Sequence, residues 1–353
     1  MRLDDLGWNH LFERDFEPHR ADGLEPARVV EEQRGQYTLW QEAGESPAVV
    51  SGRLRNATVS RTGLPAVGDW VAVRPGGEGN LAVIDTILPR KSAFTRRAAG
   101  RAEEAQVVAA NVDFVLLVSG LDGDFNLRRI ERYVTLAWES GATPVVVLNK
   151  ADLCEDIAAC LAEVETVAAG IDVITVSAHT GAGIEKLHAL MKPGRTLALL
   201  GSSGVGKSTL INTLLGDARL KTAAVREDDS RGRHTTTHRE LFLAPGGGMV
   251  IDTPGMRELQ LLADEDSLER AFEDVAQLAS ACRFRDCTHE SEPGCAVRAA
   301  VEDGSLAPDR WESFLKLRRE LNYLARKQDH HLAAAERAKW KRIAKDIRRM
   351  NKG

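Results

Sequence analysis

The chain has 353 residues, of which 43% are hydrophobic and 28% are charged, and its formal net charge is −5. This composition is typical of a globular protein with two or three domains, and no apolar run reaches the length of a transmembrane helix. The first residues do not show the basic and then apolar layout of a signal peptide, so we expect a cytoplasmic protein without a disulfide framework.

The first region, residues 1–104, has the pattern of a small β-barrel. Leu3–Phe16 predicts a short amphipathic helix, and Arg90–Arg101 predicts a basic connector after the barrel. Short strands separated by Gly, Pro and Asn clusters predict a five-stranded OB-like barrel that binds RNA. The strands are Gln36–Trp40, Ala48–Ser51, Trp70–Val73 and Leu81–Leu88. The aromatic residues of this region could stack on bases, although a small barrel needs most of them in its core: Tyr37, Trp40, Trp70 and Phe94.

The second region, residues 105–263, alternates buried strands with helices. That alternation is typical of a parallel α/β sheet. The predicted strands are Phe114–Ser119, Val145–Leu148, Val173–Val176 and Thr196–Leu200. The predicted helices are Leu127–Glu139, one that begins at Asp156, and Ile184–Met191. We interpret Cys154 and Cys160, on or near the second helix, as packing residues.

The sequence NKAD (residues 149–152) follows an apolar strand and predicts a site for a guanine base. Asp152 can accept hydrogen bonds from guanine N1–H and the exocyclic amine, which adenine does not offer in that geometry. Asn149 and Lys150 would complete the motif, with Lys150 along the base plane and back against the phosphate loop. Ser177 and Ala178 end the next strand, where a backbone N–H can reach guanine O6.

The sequence GSSGVGKS (residues 201–208) fits the phosphate loop G-x-x-x-x-G-K-[ST], with a strand before it and a helix, Ser208–Leu215, after it. Lys207 would bridge the β- and γ-phosphates, and the Ser208 hydroxyl would bind Mg²⁺. We predict nucleotide contacts from Gly201, Ser202, Ser203, Gly204, Val205, Gly206, Lys207, Ser208 and Thr209.

The sequence DTPG (residues 252–255) follows a predicted hairpin, Glu240–Leu243 and Met249–Asp252, with its turn at Pro245–Gly248. Asp252 would hold Mg²⁺ through water, and the N–H of Gly255 would sense the γ-phosphate. The three motifs together form a complete guanine-nucleotide site in rotated order, because NKAD comes last in ordinary GTPases.

The third region, residues 264–353, is predicted to be helical around a metal site. Three thiolates and one imidazole within one short loop are a closed tetrahedral ligand set for structural Zn²⁺: Cys282, Cys287, His289 and Cys295. Their spacing is unusual for a zinc finger, so an irregular loop of unrelated residues stays open as an alternative. The run 337–350 predicts a basic helix that either binds a phosphate backbone or docks on its own protein through Trp340, Ile343 and Ile347.

The barrel, the rotated motifs and the Cys/His loop resemble the ribosome small-subunit-dependent GTPase A family, also called RsgA or YjeQ. The resemblance covers nearly the whole chain and includes GRHTTTH (residues 232–238) and IDTPGMRE (residues 251–258). It implies an OB-fold domain, a circularly permuted GTPase domain and a zinc-binding helical domain. It also implies a cytoplasmic factor that binds the 30S subunit and its 16S rRNA late in assembly and hydrolyses GTP there, and we expect a monomer.

The position after Gly255 carries Met256, where Ras-like enzymes place a Gln that orients the attacking water. An apolar side chain cannot do this, so we predict slow intrinsic hydrolysis that the subunit stimulates. Thr236 is the predicted second Mg²⁺ ligand. His234 is either the group that orients water or an ordinary loop residue. Two other functions stay open: a guanine-nucleotide switch on another RNA or ribonucleoprotein, and an RNA-binding module with a vestigial nucleotide site.

Overall fold

The computed structural model describes residues 2–33, 35–58, 60–76, 81–97, 105–216, 239–252, 265–284, 287–289, 292–319 and 321. The chain divides into two compact units, Met1–Gln260 and Leu261–Gly353. Over the described ranges, every helix is too short or too polar to cross a membrane.

Five strands of the first unit close into the predicted barrel. They are β1 (Glu25–Gln33), β2 (Gln36–Gln41), β3 (Gly44–Val50), β4 (Trp70–Arg74) and β5 (Ala82–Ile87). The order β1-β2-β3-β5-β4 returns to β1, and the β3–β5 pair is parallel while the others are antiparallel. A short helix, α2 (Gly52–Ala57), follows β3. Val29, Leu39, Val71 and Ile84 fill the interior.

The barrel aromatics are mostly core residues. Tyr37, Trp70 and Phe94 are buried, so their rings are not available for base stacking in this conformation. Trp40 is partly exposed, and its indole N–H donates to Glu45 at 3.2 Å.

The predicted single helix Leu3–Phe16 is wrong, because this segment contains two elements. A 3-10 turn at Asp4–Leu6 precedes helix α1 (His10–Arg20). The side chain of Asn9 accepts hydrogen bonds from the N–H groups of Leu11 and Phe12, so a new helix begins there. Helix α1 and Trp8 pack their aromatic rings against Trp70 of the barrel, with centroids 4.7 Å apart for Trp8.

A buried arginine joins this N-terminal segment to the rest of the unit. Arg28 of β1 donates to the carbonyl of Leu6, to the carbonyl of Gly68 at 3.4 Å and to Thr196 Oγ1 at 2.7 Å. Complete burial lowers the pKa of Arg28 to about 10, so the guanidinium is still charged at neutral pH. Carbonyl and hydroxyl oxygens therefore replace water around this charge.

The basic connector predicted for Arg90–Arg101 is wrong in its central part. Strand β6 (Ala93–Arg97) pairs antiparallel with β7 (Ala105–Ala110) in a separate two-stranded sheet. Phe94 is buried there, and the apolar positions of β7 supply the facing surface. Residues 98–101 of the prediction lie outside the described residues.

The predicted α/β sheet is confirmed. Its strands are β8 (Phe114–Gly120), β9 (Thr143–Asn149), β10 (Val173–Thr175), β11 (Thr196–Gly201), β12 (Arg239–Leu243) and β13 (Met249–Asp252). The order is β10-β9-β8-β11-β13-β12, parallel except for the β12–β13 hairpin. The helices are α3 (Leu127–Ser140), α4 (Ile157–Val167), α5 (Ile184–Leu190) and α6 (Lys207–Leu215).

The barrel and this sheet share hydrogen bonds along one seam. Strand β1 pairs antiparallel with β12, in the register Glu31 with Glu240 and Glu32 with Arg239. The Arg239 guanidinium also contacts Glu32 at 3.2 Å and Gln106 at 3.4 Å. The two parts therefore form one sheet of eleven strands.

The second unit is helical, with α7 (Glu265–Ala271), α8 (Glu273–Ser280), α9 (Ala296–Glu302) and a further helix over 308–319. Arg310 lies over the buried ring of Phe272 at 4.2 Å and donates to both carboxylate oxygens of Asp274 at 3.0 and 2.8 Å. This ion pair ties the helix over 308–319 to α8. The basic helix predicted over 337–350 lies outside the described residues.

Candidate functional site

The predicted phosphate loop lies between β11 and α6. Gly206 caps the helix in the left-handed region, at φ 94°. A Cβ atom there would lie 2.4 Å from the side-chain nitrogen of Asn149, so only glycine lets the two motifs approach this closely. The Lys207 ammonium donates to the carbonyls of Gly201, at 2.8 Å, and of Ser202. The Lys207 side chain thus lies over the phosphate loop, where a bound phosphate would also lie.

Asn149 connects the base motif to the phosphate loop. Its side chain is 2% exposed, and its Nδ2 donates to the carbonyl of Val205 at 2.7 Å. Its Oδ1 accepts from the N–H of Ala178 at 3.0 Å. One amide therefore joins the three segments that the sequence assigns to a single site.

Asp152 is exposed at the same edge and accepts a hydrogen bond from the Ser177 hydroxyl. That bond lowers the pKa of Asp152 below its ordinary value, so the carboxylate is an acceptor at neutral pH. The predicted O6 donors already have acceptors here. The N–H of Ser177 donates to Ala182 at 2.9 Å, and that of Ala178 to Asn149. A guanine O6 would share or replace one of these acceptors.

The Mg²⁺ prediction involves residues both inside and outside the described ranges. Ser208 lies in the first turn of α6, and Asp252 ends β13 opposite Glu240. Their hydroxyl and carboxylate oxygens are the ligand type that Mg²⁺ prefers. Gly255, Thr236 and His234 lie outside the described residues, as does Met256.

Two aspartates of this edge were not predicted from the sequence. The loop after β8 carries Asp122, which contacts Lys150, and Asp124, which accepts from the Ser202 hydroxyl. The signal for them was available, because β8 was predicted as a parallel strand and its carboxyl end must lie at the same edge as the motifs.

The four predicted zinc ligands converge in the second unit. The ligand atoms of Cys282, Cys287, His289 and Cys295 all lie within 4.8 Å of one another. The Cys282 and Cys295 sulfurs are 3.9 Å apart, and His289 Nδ1 is 3.6 and 3.4 Å from them. Tetrahedral Zn²⁺ with bonds of about 2.3 Å to sulfur and about 2.0 Å to nitrogen requires a sulfur–sulfur separation of about 3.8 Å and a sulfur–nitrogen separation of about 3.5 Å. The donor set fits zinc, and the irregular-loop alternative does not explain this convergence.

Cys154 and Cys160 are separate from this cluster. They are partly exposed, and their sulfur atoms lie 3.9 Å from each other. Cys154 and Cys160 therefore pack against each other, as interpreted from the sequence, but neither side chain is part of the core.

The fold and the site together define the class of this protein. A P-loop strand and a guanine-motif strand lie two places apart in one sheet, and the guanine motif comes first along the chain. That arrangement is a circularly permuted P-loop GTPase with an N-terminal OB barrel.

Comparisons with known proteins then identify the family. The sequence model of the RsgA GTPase family matches residues 87–262. The chain is 53% identical to the small ribosomal subunit biogenesis GTPase RsgA of Opitutus terrae, over 97% of this chain and 96% of that protein. It is 49% identical to the small ribosomal subunit biogenesis GTPase RsgA 1 of Oceanobacillus iheyensis, over 90% and 91%. The chain belongs to the RsgA GTPase family.

Two solved structures are similar in fold to this chain. The crystal structure of YjeQ from Thermotoga maritima matches with a TM-score of 0.64 at 30% identity, covering 84% of this chain and 98% of that one. The crystal structure of YloQ, a circularly permuted GTPase, matches in fold with a TM-score of 0.60 at 23% identity, covering 85% of this chain and 95% of that one.

Proposed function

We propose that this GTPase acts on the small ribosomal subunit during its biogenesis, with slow intrinsic turnover that the 30S subunit stimulates. The observation that carries the proposal is the Asn149 connection, which holds the base motif and the phosphate loop together as one site. The relatives that are 53% and 49% identical over most of the chain are small ribosomal subunit biogenesis GTPases, and they supply the biological context.

In this mechanism each half of the site has its own task. Asp152 accepts from guanine N1–H and the exocyclic amine, Lys150 lies along the base, and Ala178 or Ser177 donates to O6. The N–H groups from Gly201 to Thr209 surround the phosphates, and Lys207 leaves its loop carbonyls to bridge the β- and γ-phosphates.

Ser208, Asp252 and Thr236 would hold Mg²⁺, which neutralises charge that develops on the phosphates. Gly255 would donate to the γ-phosphate, and His234 would orient the attacking water in place of a Gln. Since Met256 cannot take that role, we expect hydrolysis to stay slow until the subunit helps to position the attacking water. A His234→Ala protein whose 30S-stimulated turnover equalled that of the wild type would argue against the role of His234.

The partner would be the 30S subunit through its 16S rRNA, bound by a cytoplasmic monomer. The barrel and the basic residues near the C-terminus supply surfaces for a phosphate backbone, and a structural Zn²⁺ would hold the second unit. The order of the motifs suggests how the parts cooperate, because only a short stretch of sequence separates residues 252–255 from the helical region. GTP state would then set how the flanking domains hold the ribosome.

The decisive experiment measures GTP turnover by the full-length protein alone, with purified 30S subunits and with purified 50S subunits. We expect a rise of at least tenfold with 30S subunits and no rise with 50S subunits. Equal turnover in all three conditions would contradict the small-subunit assignment. Stimulation by another RNA or ribonucleoprotein instead would support the alternative of a switch on a different particle.

A further inference from the structure

The loop after β8 lies between the two halves of the nucleotide site. In the sheet, β8 is hydrogen-bonded to β9, which carries the base motif, and to β11, which carries the phosphate loop. All three strands are parallel, so their carboxyl ends meet at one edge. The backbone N–H of Leu121 donates to the carbonyl of Asn149 at 2.7 Å, which fixes the start of the loop beside the base motif.

The loop contacts the base motif through an ion pair. Lys150 Nζ lies 2.5 Å from Asp122 Oδ2, and about a quarter of each side chain is exposed, 24% and 27%. The second oxygen, Oδ1, accepts from the N–H of Asp124 at 3.1 Å, so the carboxylate is held from both sides. Burial opposes the charge, yet the bond from Lys150 helps to keep the pKa of Asp122 below its ordinary value.

The backbone has an unusual feature on each side of this ion pair. Lys150 is a non-glycine residue with a positive φ, 63°, and this conformation costs free energy. On the other side, a Cβ atom on Gly120 would lie 2.6 Å from Asp122 Oδ1 and 3.6 Å from the Lys150 stem. A larger residue at position 120 would displace the carboxylate, so Gly120 makes room for the pair.

The same loop also contacts the phosphate side. Asp124 accepts from the Ser202 hydroxyl of the phosphate loop and forms an ion pair with Arg129 at 2.6 Å. Two neighbouring carboxylates of one loop thus each hold one half of the site.

We infer that Asp122 is a positioning residue for guanine nucleotides, which acts by holding the ammonium of Lys150. A free lysine side chain loses rotamer freedom when it is ordered against a base. The ion pair orders Lys150 before the nucleotide arrives, so less entropy is lost on binding. This inference rests on the proposed role of Lys150, and it concerns the base side, so GDP and GTP should respond alike.

The test measures nucleotide affinity and turnover in full-length variants. In Asp122→Asn we expect the Kd for GDP and the KM for GTP to rise about tenfold, with kcat at saturation unchanged and partial recovery in Asp122→Glu. In a Lys150→Gln background, Asp122→Asn should add no further loss, because its partner is already absent. If Asp122→Asn does not fold, Gly120→Ala should give the same rise in KM by displacing the carboxylate.

Asp85→Asn is the matched control, because it removes ion pairs with Arg53 at 3.3 Å and Arg74 at 3.5 Å in the barrel and should change neither constant. Wild-type or tighter affinity in Asp122→Asn would overturn the inference, and so would an equal loss in the Lys150→Gln background. If Lys150→Gln itself binds normally, the proposed nucleotide site fails together with the inference. If Lys150→Gln binds nucleotide weakly while Asp122→Asn binds it with wild-type affinity, the inference is overturned but the proposed nucleotide site stands.

Discussion

At the scale of single residues, Asn149 is the side chain on which the site most depends. Both ends of its amide are used inside the protein, toward Val205 and Ala178, and the side chain is buried. Truncation would remove one hydrogen bond from the buried carbonyl of Val205 and another from the partly buried N–H of Ala178. The loss of a partner at a buried polar group costs free energy because water does not fully replace it.

We predict that Asn149→Ala lowers the free energy of unfolding by about 1–3 kcal/mol and weakens GDP binding at least tenfold. Chemical denaturation and nucleotide titration would measure the two effects. Asn9→Ala is a suitable control, because it removes the cap of α1 and should cost about 1 kcal/mol without any change in GDP affinity. Equal affinities in the two variants would mean that Asn149 serves only stability.

We predict that Asp152→Asn exchanges guanine specificity for xanthine specificity. The carboxylate accepts two hydrogen bonds from guanine, whereas an amide would donate one bond to the C2 oxygen of xanthine and accept one from N1–H. Competition of GDP and XDP for the variant would measure the change, and we expect a shift in preference of at least a hundredfold. Retained preference for GDP would remove Asp152 from the base site.

The sequence predicted these residues because each belongs to a motif with a fixed chemical task. It did not predict Asp122 or Asp124, which act through other protein groups. The predicted strand β8 indicates the edge at which they lie, but the groups that they contact depend on which strands are neighbours in the sheet, and this order is a property of the tertiary structure. The hydrogen bond from the Ala178 N–H to Asn149 could not be predicted from the sequence for the same reason.

At the scale of elements, the N-terminal helix shows what periodicity alone misses. Helix α1 packs Phe12 and Phe16 toward the barrel, but a polar cap at Asn9 separates it from the preceding turn.

Strand β1 was not predicted from the sequence. Its sequence EPARVVEEQ has a proline and four acidic or amide residues, and Ala27–Val30 are buried without alternation because β1 has neighbours on several sides.

We predict that Phe16→Ala lowers the free energy of unfolding by about 3 kcal/mol, because this ring is completely buried. Leu11→Ala on the same helix is the matched control. Leu11 is 45% exposed, and its loss should cost less than about 0.5 kcal/mol. Urea denaturation of both variants would decide, and equal stabilities would show that α1 does not contribute to the barrel.

At the scale of the whole molecule, the two compact units would depend on different stabilising agents. The first has a large apolar core around its sheet. In the second, the sulfur of Cys295 also caps α9 by accepting from the N–H of Arg298 at 3.4 Å, so metal binding and helix formation share an atom. Small helical units with such a centre draw much of their folding free energy from the metal.

We predict that Cys295→Ser abolishes zinc binding and speeds hydrogen exchange in α9, whereas the Kd for GDP keeps its wild-type value. Metal analysis and exchange mass spectrometry would measure this. Cys154→Ser should keep one zinc ion per chain, since Cys154 lies outside the cluster. Stoichiometric zinc in purified Cys295→Ser would contradict the assigned ligand set.

The seam between β1 and β12 has a consequence for how this protein can be divided. Among the described residues, β12 would be the edge strand of the GTPase sheet without the barrel, and it would lose the backbone hydrogen bonds that it shares with β1. Exposed edges of this kind recruit strands from other chains. By pairing with β12, the barrel therefore also protects this edge from self-association. A GTPase fragment that begins near residue 105 should form aggregates that the intact chain avoids.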